Sequence, residues 1–334
     1  MSGILMMVIA IVVLGGAYLL YGRYLQNKWG IDPNAKTPAY EMEDGVDYVP
    51  ADTNVVFGHQ FASIAGAGPI NGPIQAAIFG WLPVLLWILI GGVFFGAVQD
   101  FASMYASVKN KGRTIGYIIE EYIGKLGKKL FLLFCWLFCI LVVAAFADVV
   151  AGTFNGFVTD SAGTVTKVAA NGAVATTSML FIIEAVGLGF FLKYSKFNKW
   201  INTAVAILLL VLAIALGLKF PVYVSLGTWH IIIFAYILIA SVAPVWALLQ
   251  PRDYLNSYLL IFMIVGAVIG VFAANPSCNL KAFTSFNVDG QYMFPILFVT
   301  IACGAVSGFH SLVSSGTASK QIKNEKNMLP VSFG

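Results

Sequence analysis

The sequence predicts an all-α, polytopic membrane protein, and three observations support this fold class. Of the 334 residues, 59% are hydrophobic and only 10% are charged, whereas a soluble domain carries about 25% charged residues. The mean hydropathy is +0.86. Apolar stretches of roughly 17–25 residues, the length that crosses a bilayer, recur along the whole chain. This composition excludes a soluble globular domain.

Nine apolar segments approach the length needed to cross a bilayer. They cover residues 4–22, 53–80, 82–107, 130–151, 175–192, 200–218, 228–250, 254–274 and 293–317. The first lacks an Ala-x-Ala cleavage site and runs directly into Arg23, so we interpret it as a retained membrane helix rather than a signal peptide. Two of the nine contain residues that interrupt helices.

The stretches between these segments predict loops and one surface helix. Residues 23–52 are polar and acidic, which favours an ordered loop over one face of the protein. Apolar residues recur with helical spacing within 109–129, so we expect a short amphipathic helix at the membrane interface. Residues 152–174 are rich in Gly, Ser, Thr and Asn and predict an exposed loop. We assign residues 1–52 to an additional N-terminal helix with a cytoplasmic loop, and residues 53–334 to the core.

The distribution of lysine and arginine supports this order of segments. If the nine segments alternate across the membrane, 16 of the 19 basic residues fall on one side. The other three are Lys167, Lys219 and Lys281. Because cytoplasmic loops carry an excess of lysine and arginine, the sequence predicts a multi-pass protein of the cytoplasmic membrane with its N-terminus outside.

The stretch Gly58–Pro73 predicts the first interrupted membrane helix. It contains four glycines and two prolines. Proline lacks an amide hydrogen and glycine tolerates unusual backbone angles, so we expect the helix to break near Gly66–Gly68 and to restart after Pro73. Unpaired backbone at membrane depth is tolerated only inside protein or beside a wet cavity. Broken helices of this kind form the substrate and ion sites of many secondary transporters.

A second break is expected near Ser314–Thr317. Phe61–Gly68 aligns with Phe309–Gly316 at a constant offset of 248, and Phe, Ser and Gly are identical at three of the eight positions. In the predicted topology the two segments cross the membrane in opposite directions. Two similar broken helices of opposite orientation are what an inverted repeat predicts.

Several motifs resemble those of the carbon starvation protein A family. They are Gly58-His-Gln-Phe-Ala-Ser-Ile-Ala-Gly-Ala-Gly-Pro69, Gly96-Ala-Val-Gln-Asp100, Ala243-Pro-Val-Trp246, Gln250-Pro-Arg-Asp-Tyr-Leu255 and Ser307-Gly-Phe-His-Ser311. The resemblance implies an inner-membrane transporter linked to peptide uptake or to proton-coupled pyruvate uptake. By superfamily analogy it implies two inverted five-helix repeats, as in amino acid–polyamine–organocation transporters. Family members usually extend further, so we expect this chain to be incomplete at its C-terminus.

Polar residues inside the apolar segments are the candidate substrate and ion ligands, because such groups are costly at membrane depth unless they are paired or wet. His59 and His310 occupy nearly matching places, and histidine can exchange a proton near neutral pH. Either could instead make a structural hydrogen bond. The candidates are His59, Ser63, Gly66, Gly68, Asn71, Asp148, Glu184, His310, Ser311, Ser314, Ser315 and Thr317.

Some of these candidates have a second interpretation that the sequence leaves open. Asp148 lies near the outer end of its segment and could bind a coupling ion or simply be solvated. Glu184 lies in the middle of its segment, where a carboxylate needs a partner or a cavity. A hydroxyl such as that of Ser63 could bond a carbonyl oxygen of its own helix.

Four further residues are candidates for gating or coupling. They are Gln99, Asp100, Arg252 and Asp253. Asp100 could carry a proton or form an ion pair with Arg252. Arg252 could bind a substrate carboxylate through two nitrogens or anchor a cytoplasmic gate.

No signature of a catalytic, nucleotide or metal site occurs in the sequence. The glycines that follow Gly66 have the wrong spacing for a dinucleotide fingerprint, and no Walker lysine follows them. The four cysteines lack zinc-like spacing. We therefore predict a transporter that is not an enzyme and has no cofactor, metal or nucleic-acid partner. Its expected partners are peptide or pyruvate, a proton and the bilayer, with an oligomer left open; a channel or a membrane sensor is the alternative.

Overall fold

The computed structural model describes residues 2–45, 47–51, 53–64, 68–159, 163–194, 199–242 and 249–334. Helices dominate these residues, as the composition predicts, because a helix satisfies its backbone polar groups within one segment. The chain divides into two compact units, of which the first is Met1–Phe131 with Met263–Gly334 and the second is Leu132–Phe262. The predicted boundary after residue 52 remains a prediction.

Fifteen α-helices follow one another along the described residues. They are α1 (Gly3–Gly16), α2 (Arg23–Lys28), α3 (Pro38–Glu41), α4 (Thr53–Ile64), α5 (Gly68–Ala76), α6 (Trp81–Gly91), α7 (Val98–Lys109), α8 (Ile115–Tyr122), α9 (Lys125–Phe154), α10 (Ala169–Tyr194), α11 (Lys199–Lys219), α12 (Leu226–Val242), α13 (Leu249–Ala274), α14 (Met293–Ala305) and α15 (Gly308–Gly316). π-Helical turns over Ala17–Gly22 and Gly92–Ala97 join α1 to α2 and α6 to α7. Helix α8 lies where the sequence predicts a short amphipathic helix.

Five helical stretches among the described residues are long and apolar enough to cross a membrane. They are Gly3–Lys28, Trp81–Lys109, Lys125–Phe154, Ala169–Leu188 and Met293–Lys320. Shorter apolar helices are Ala204–Lys219, Leu226–Val242 and Tyr258–Ala274. The chain is a multi-pass membrane protein. Nine crossings, their orientation and an inverted repeat remain predictions.

The helix does not restart after Pro73, so this part of the sequence prediction is wrong. Helix α4 ends at Ile64 and α5 already begins at Gly68, while residues 65–67 lie outside the described residues. Helix α5 continues through Pro73. Its missing amide hydrogen removes one helical hydrogen bond, and packing against α14 offsets this loss.

A helix interruption lies at Val306–Ser307, between α14 and α15, and α15 then ends at Gly316, within the stretch Ser314–Thr317 where the sequence predicts a break. Val306 leaves the helical region with φ −143° and ψ 31°. Ser307 then caps α15, because its Oγ accepts a hydrogen bond from the amide of Phe309 at 3.3 Å. Ser314 lies inside α15, which ends at Gly316. The interruption at Val306–Ser307 was not predicted from the sequence, although serine is a favoured residue at the start of a helix.

Small residues let α5, α14 and the π-helical turn after α6 approach one another closely. A Cβ atom on Gly72 would lie 2.5 Å from the carbonyl oxygen of Thr300, and one on Gly304 would lie 2.5 Å from Pro69 Cα. Membrane helices associate through close packing of small residues rather than through hydrophobic burial. These glycines therefore set the helix spacing in the first unit.

Two short hairpins occur in the segments between helices. Strands β1 (Phe157–Thr159) and β2 (Val165–Lys167) pair antiparallel within the stretch expected to be a loop. Their β-branched residues favour extended structure, which the Gly and Ser content of the stretch obscured. Strands β3 (Asn287–Val288) and β4 (Gln291–Tyr292) also pair antiparallel.

An ion pair between an exposed lysine and a buried glutamate attaches the C-terminal segment to α7. Lys109 Nζ lies 2.8 Å and 2.9 Å from the two carboxylate oxygens of Glu325. The amide of Asp32 donates to the same carboxylate at 3.0 Å. The Glu325 side chain is 4% exposed, so its charge depends on these partners.

Replacing Glu325 with Gln is expected to lower the free energy of unfolding by about 2 kcal/mol, because Lys109 loses its counter-charge while the shape is kept. Thermal unfolding in detergent would measure the change. Glu41→Gln, at an exposed carboxylate, serves as the control. Equal midpoints for Glu325→Gln and the unsubstituted protein would contradict the prediction.

Candidate functional site

Helices α7 and α15 of the first unit carry buried polar side chains at helical spacing. The residues are Asp100, Ser103 and Ser107 on α7, and His310, Ser311, Ser314 and Ser315 on α15. Residues three or four apart share one side of a helix. The hydrogen bonds and the ion pair described below connect these two polar faces, so each helix satisfies the other's polar groups.

Asp100 and His310 form a buried carboxylate–imidazole pair between the two faces. His310 Nδ1 lies 3.7 Å from Asp100 Oδ2, and both side chains are 6% exposed. This distance allows an ion pair but is too long for a direct hydrogen bond. A buried charge is stable only when it is paired. One proton gained or lost here therefore changes the charge balance of the whole pair.

Gln60 ties α4 to α15 beside this pair. It is fully buried. Its Nε2 donates to Ser314 Oγ at 2.7 Å and to the carbonyl oxygen of His310 at 3.3 Å. Its Oε1 is buried and has no hydrogen-bond partner among the described residues. Gln60 thus links α4 to α15, the helix that carries His310.

Hydrogen bonds continue along α7 and α15 on either side of the pair. Gln99 Nε2 donates to Ser311 Oγ at 3.1 Å. Ser107 Oγ lies 2.9 Å from the carbonyl oxygen of Ser315 and 2.8 Å from Ser319 Oγ. These bonds fix the two helices against each other and so fix the separation of Asp100 and His310.

A cavity of about 410 Å³ lies next to the pair, within the first unit. Asp100 and His310 contribute to its lining, together with Ser332. Pro69 at the start of α5 and Ala305 at the end of α14 also line it. The remaining lining is mostly apolar and aromatic, and it contains no lysine or arginine among the described residues. This volume accommodates a small organic molecule.

The structure does not bring all the sequence candidates to this cavity. The hydroxyl of Ser63 donates to the carbonyl oxygen of His59 in its own helix at 2.8 Å, as in the alternative interpretation. The imidazole of His59 makes no hydrogen bond or ion pair with the described residues. Asn71 is exposed, and Thr317 follows the last residue of α15.

Glycine candidates act through packing or lie outside the described residues. A Cβ on Gly68 would meet Cys303 Sγ at 2.5 Å, so Gly68 serves close packing. Gly66 lies outside the described residues. Arg252 and Asp253 belong to α13 by their backbone, and their side chains lie outside the described part of the structure.

Two candidate carboxylates belong to the second unit. Asp148 Oδ1 lies 3.1 Å from His230 Nε2, and the Asp148 side chain is 76% exposed. Glu184 is partly buried on α10, and its Oε2 has no hydrogen-bond partner among the described residues. Asp148 therefore has the partner that sequence reasoning did not assign, whereas no described partner accounts for Glu184.

Sequence reasoning missed four buried polar residues of the site. They are Gln60, Ser103, Ser107 and Ser319. The signal was present on α7, where Asp100, Ser103 and Ser107 recur at spacings of three and four residues. This periodicity predicts a polar face turned towards protein, since lipid would not satisfy it.

These features define a multi-pass helical membrane protein with a titratable pair beside an internal cavity. The chain belongs to the carbon starvation protein CstA family, whose family model matches residues 2–334. No solved structure gives a significant match to the chain.

Curated relatives include transporters named for two different substrates. The peptide transporter CstA of Escherichia coli K12 is 36% identical over 95% of this chain and 46% of its own length. The peptide transporter CstA of Bacillus subtilis 168 is 35% identical over 100% of this chain and 56% of its own length. The pyruvate/proton symporter BtsT of Escherichia coli K12 is 36% identical over 95% of this chain and 45% of its own length. The chain thus spans about half the length of the curated relatives it matches.

Proposed function

We propose that this chain belongs to a proton-coupled secondary transporter that imports a small carboxylate-bearing nutrient, pyruvate or a peptide, across the cytoplasmic membrane during carbon starvation. The observation that carries the proposal is the buried Asp100–His310 pair, which lines a cavity that Pro69 of α5 and Ala305 of α14 also border. The relatives named as a peptide transporter and as a pyruvate/proton symporter support it. Alternating access would expose this cavity to each side of the membrane in turn.

Charge repulsion in the cavity would couple the proton to an anionic substrate. With Asp100 ionised and His310 neutral, the pair carries one negative charge. A substrate carboxylate about 5 Å away would be repelled by about 3 kcal/mol at an effective dielectric constant of about 20. One bound proton cancels that charge, so the protonated cavity would bind the anion on the order of a hundredfold more tightly. Substrate and proton would therefore enter together.

Uptake by purified protein in proteoliposomes tests the proposal. Saturable accumulation of labelled pyruvate or of a dipeptide, driven by an imposed pH gradient, is the expected result. Competition between the two compounds would identify the preferred substrate. Conductance without accumulation would instead indicate a channel. The absence of both conductance and accumulation would contradict a transport function.

The two histidines are expected to differ in their effect on uptake. His310→Ala removes the partner of Asp100 and should reduce proton-driven uptake about a hundredfold, within the range of losses seen when a proton-transferring group is removed. His59→Ala should change the rate less than about threefold, because its imidazole makes no described polar contact. Initial uptake rates at equal amounts of inserted protein would measure both. Equal losses in the two variants would remove the special role of His310.

A further inference from the structure

The loop between α7 and α9 lies at the membrane surface. The loop begins where the helical stretch Trp81–Lys109 ends, and it ends where the stretch Lys125–Phe154 begins. Both stretches are long and apolar enough to cross the bilayer. The fifteen residues that join them, which contain α8, must therefore lie where hydrocarbon meets water.

Helix α8 and the start of α9 present apolar and aromatic side chains to their surroundings. The exposed fractions are 54% for Tyr117, 73% for Tyr122, 75% for Ile123 and 71% for Leu126. Gly124, with φ +108°, makes the turn between the two helices. Tyrosine is enriched at membrane interfaces because its ring is apolar and its hydroxyl is polar. This surface is thus suited to the head-group region of a bilayer.

The same segment carries an excess of positive charge. Residues 109–129 contain six basic and two acidic residues, a net charge of +4, which equals the formal net charge of the whole chain. Both acidic residues are paired within the segment: Lys128 Nζ lies 2.5 Å from Glu120 Oε2, and an Arg113 nitrogen lies 3.6 Å from Glu121 Oε2. The hydrogen bond from Lys128 holds the pKa of Glu120 below its usual range.

Three exposed lysines of this segment form no direct ion pair with the described residues. They are Lys111, Lys125 and Lys129, whereas Lys109 is paired with Glu325. An ammonium group at the membrane surface is attracted by anionic lipid. The positive charges of these three lysines complement the negative charge of an anionic head group, and the exposed aromatic surface lies beside them.

We propose that residues 109–129 form a binding surface for anionic phospholipid head groups. The phosphates accept hydrogen bonds from Lys111, Lys125 and Lys129, while Tyr122 and Ile123 insert at the level of the glycerol backbone. The surface is independent of the cavity, and the proposal does not rest on the transport function.

Titration of the intact protein with phosphatidylglycerol in detergent, followed by native mass spectrometry, tests the proposal. Each lysine near an anionic surface contributes about fivefold in affinity, so Lys→Gln at positions 111, 125 and 129 together should weaken binding on the order of a hundredfold. Lys→Arg at the same positions keeps the charge and should retain binding. Phosphatidylcholine should bind equally and weakly to all variants.

A matched control removes the same charge elsewhere in the first unit. Lys36, Lys323 and Lys326 are exposed and form no ion pair with the described residues, and the predicted topology places them on the same side. Lys→Gln at all three should change the affinity for phosphatidylglycerol by less than about fivefold. Equal losses in the two triple variants, or no preference for phosphatidylglycerol over phosphatidylcholine, would overturn the proposal.

Discussion

Replacing Asp100 with Asn is expected to abolish proton-driven accumulation of substrate while leaving a folded, inserted protein. Asparagine keeps the shape of the side chain but cannot take up a proton. The pair would then carry no negative charge at any pH, and the repulsion of about 3 kcal/mol that makes binding depend on the proton would disappear. Because the proton-carrying carboxyl is missing, initial uptake rates under an imposed pH gradient should fall on the order of a hundredfold.

Substrate binding separates this effect from a general loss of function. In the unsubstituted protein, substrate affinity should fall as pH rises and Asp100 loses its proton. In Asp100→Asn this fall should be absent over the pH range in which His310 stays neutral. Asp289→Asn is the matched control, because Asp289 lies in the turn between β3 and β4. Unchanged accumulation by Asp100→Asn would show that this carboxyl does not carry the coupled proton.

Replacing Gly96 with Ala is expected to have the largest effect on stability. A Cβ at this position would lie 1.9 Å from the carbonyl oxygen of Ala305, the last residue of α14. Neither backbone can move without separating α14 from the turn that precedes α7. Overpacking of this severity should lower the free energy of unfolding by about 3 kcal/mol. The unfolding midpoint and the monodisperse yield in detergent would both report the loss.

Gly92 is a matched control, because it lies four residues before Gly96 in the same π-helical segment. Its added Cβ would meet no atom within 4 Å. Gly92→Ala should therefore be neutral, or stabilising by about 0.5–1 kcal/mol, because alanine loses less backbone freedom on folding. Similar midpoints for the two variants would contradict the close approach of α14 at Gly96.

The sequence was most informative about the fold where a single physical requirement determines the local structure. Uninterrupted apolar length predicted α9 and α10, because bilayer thickness and helix rise fix that length. It was less informative where several requirements compete. The sequence predicts a helix that restarts only after Pro73, but α5 is already helical from Gly68, where Gly72 packs closely on α14. The interruption at Val306–Ser307 was not predicted either. It depends on a local hydrogen bond, in which Ser307 caps α15, and the alignment of the two repeats contains no information on this bond.

The candidate site was predictable by residue type but not by partner. Asp100 and His310 were both identified, because a titratable residue in an apolar segment is costly unless it is paired or solvated. Their pairing was not predicted, since they lie 210 positions apart and single-sequence periodicity carries no information on which helices meet. Gln60 was missed because its position in the sequence does not show which helix its side chain contacts. Its importance becomes clear only from its contacts with Ser314 and His310.

The most direct test of the account is to measure substrate entry and proton entry in the same vesicles. Proteoliposomes loaded with a pH-sensitive dye would receive external pyruvate or dialanine without any imposed gradient. We predict that the lumen acidifies as substrate enters, in a fixed ratio, and that Asp100→Asn shows no such acidification. Substrate entry without acidification, or equal acidification in the variant, would contradict a proton carried by the Asp100–His310 pair.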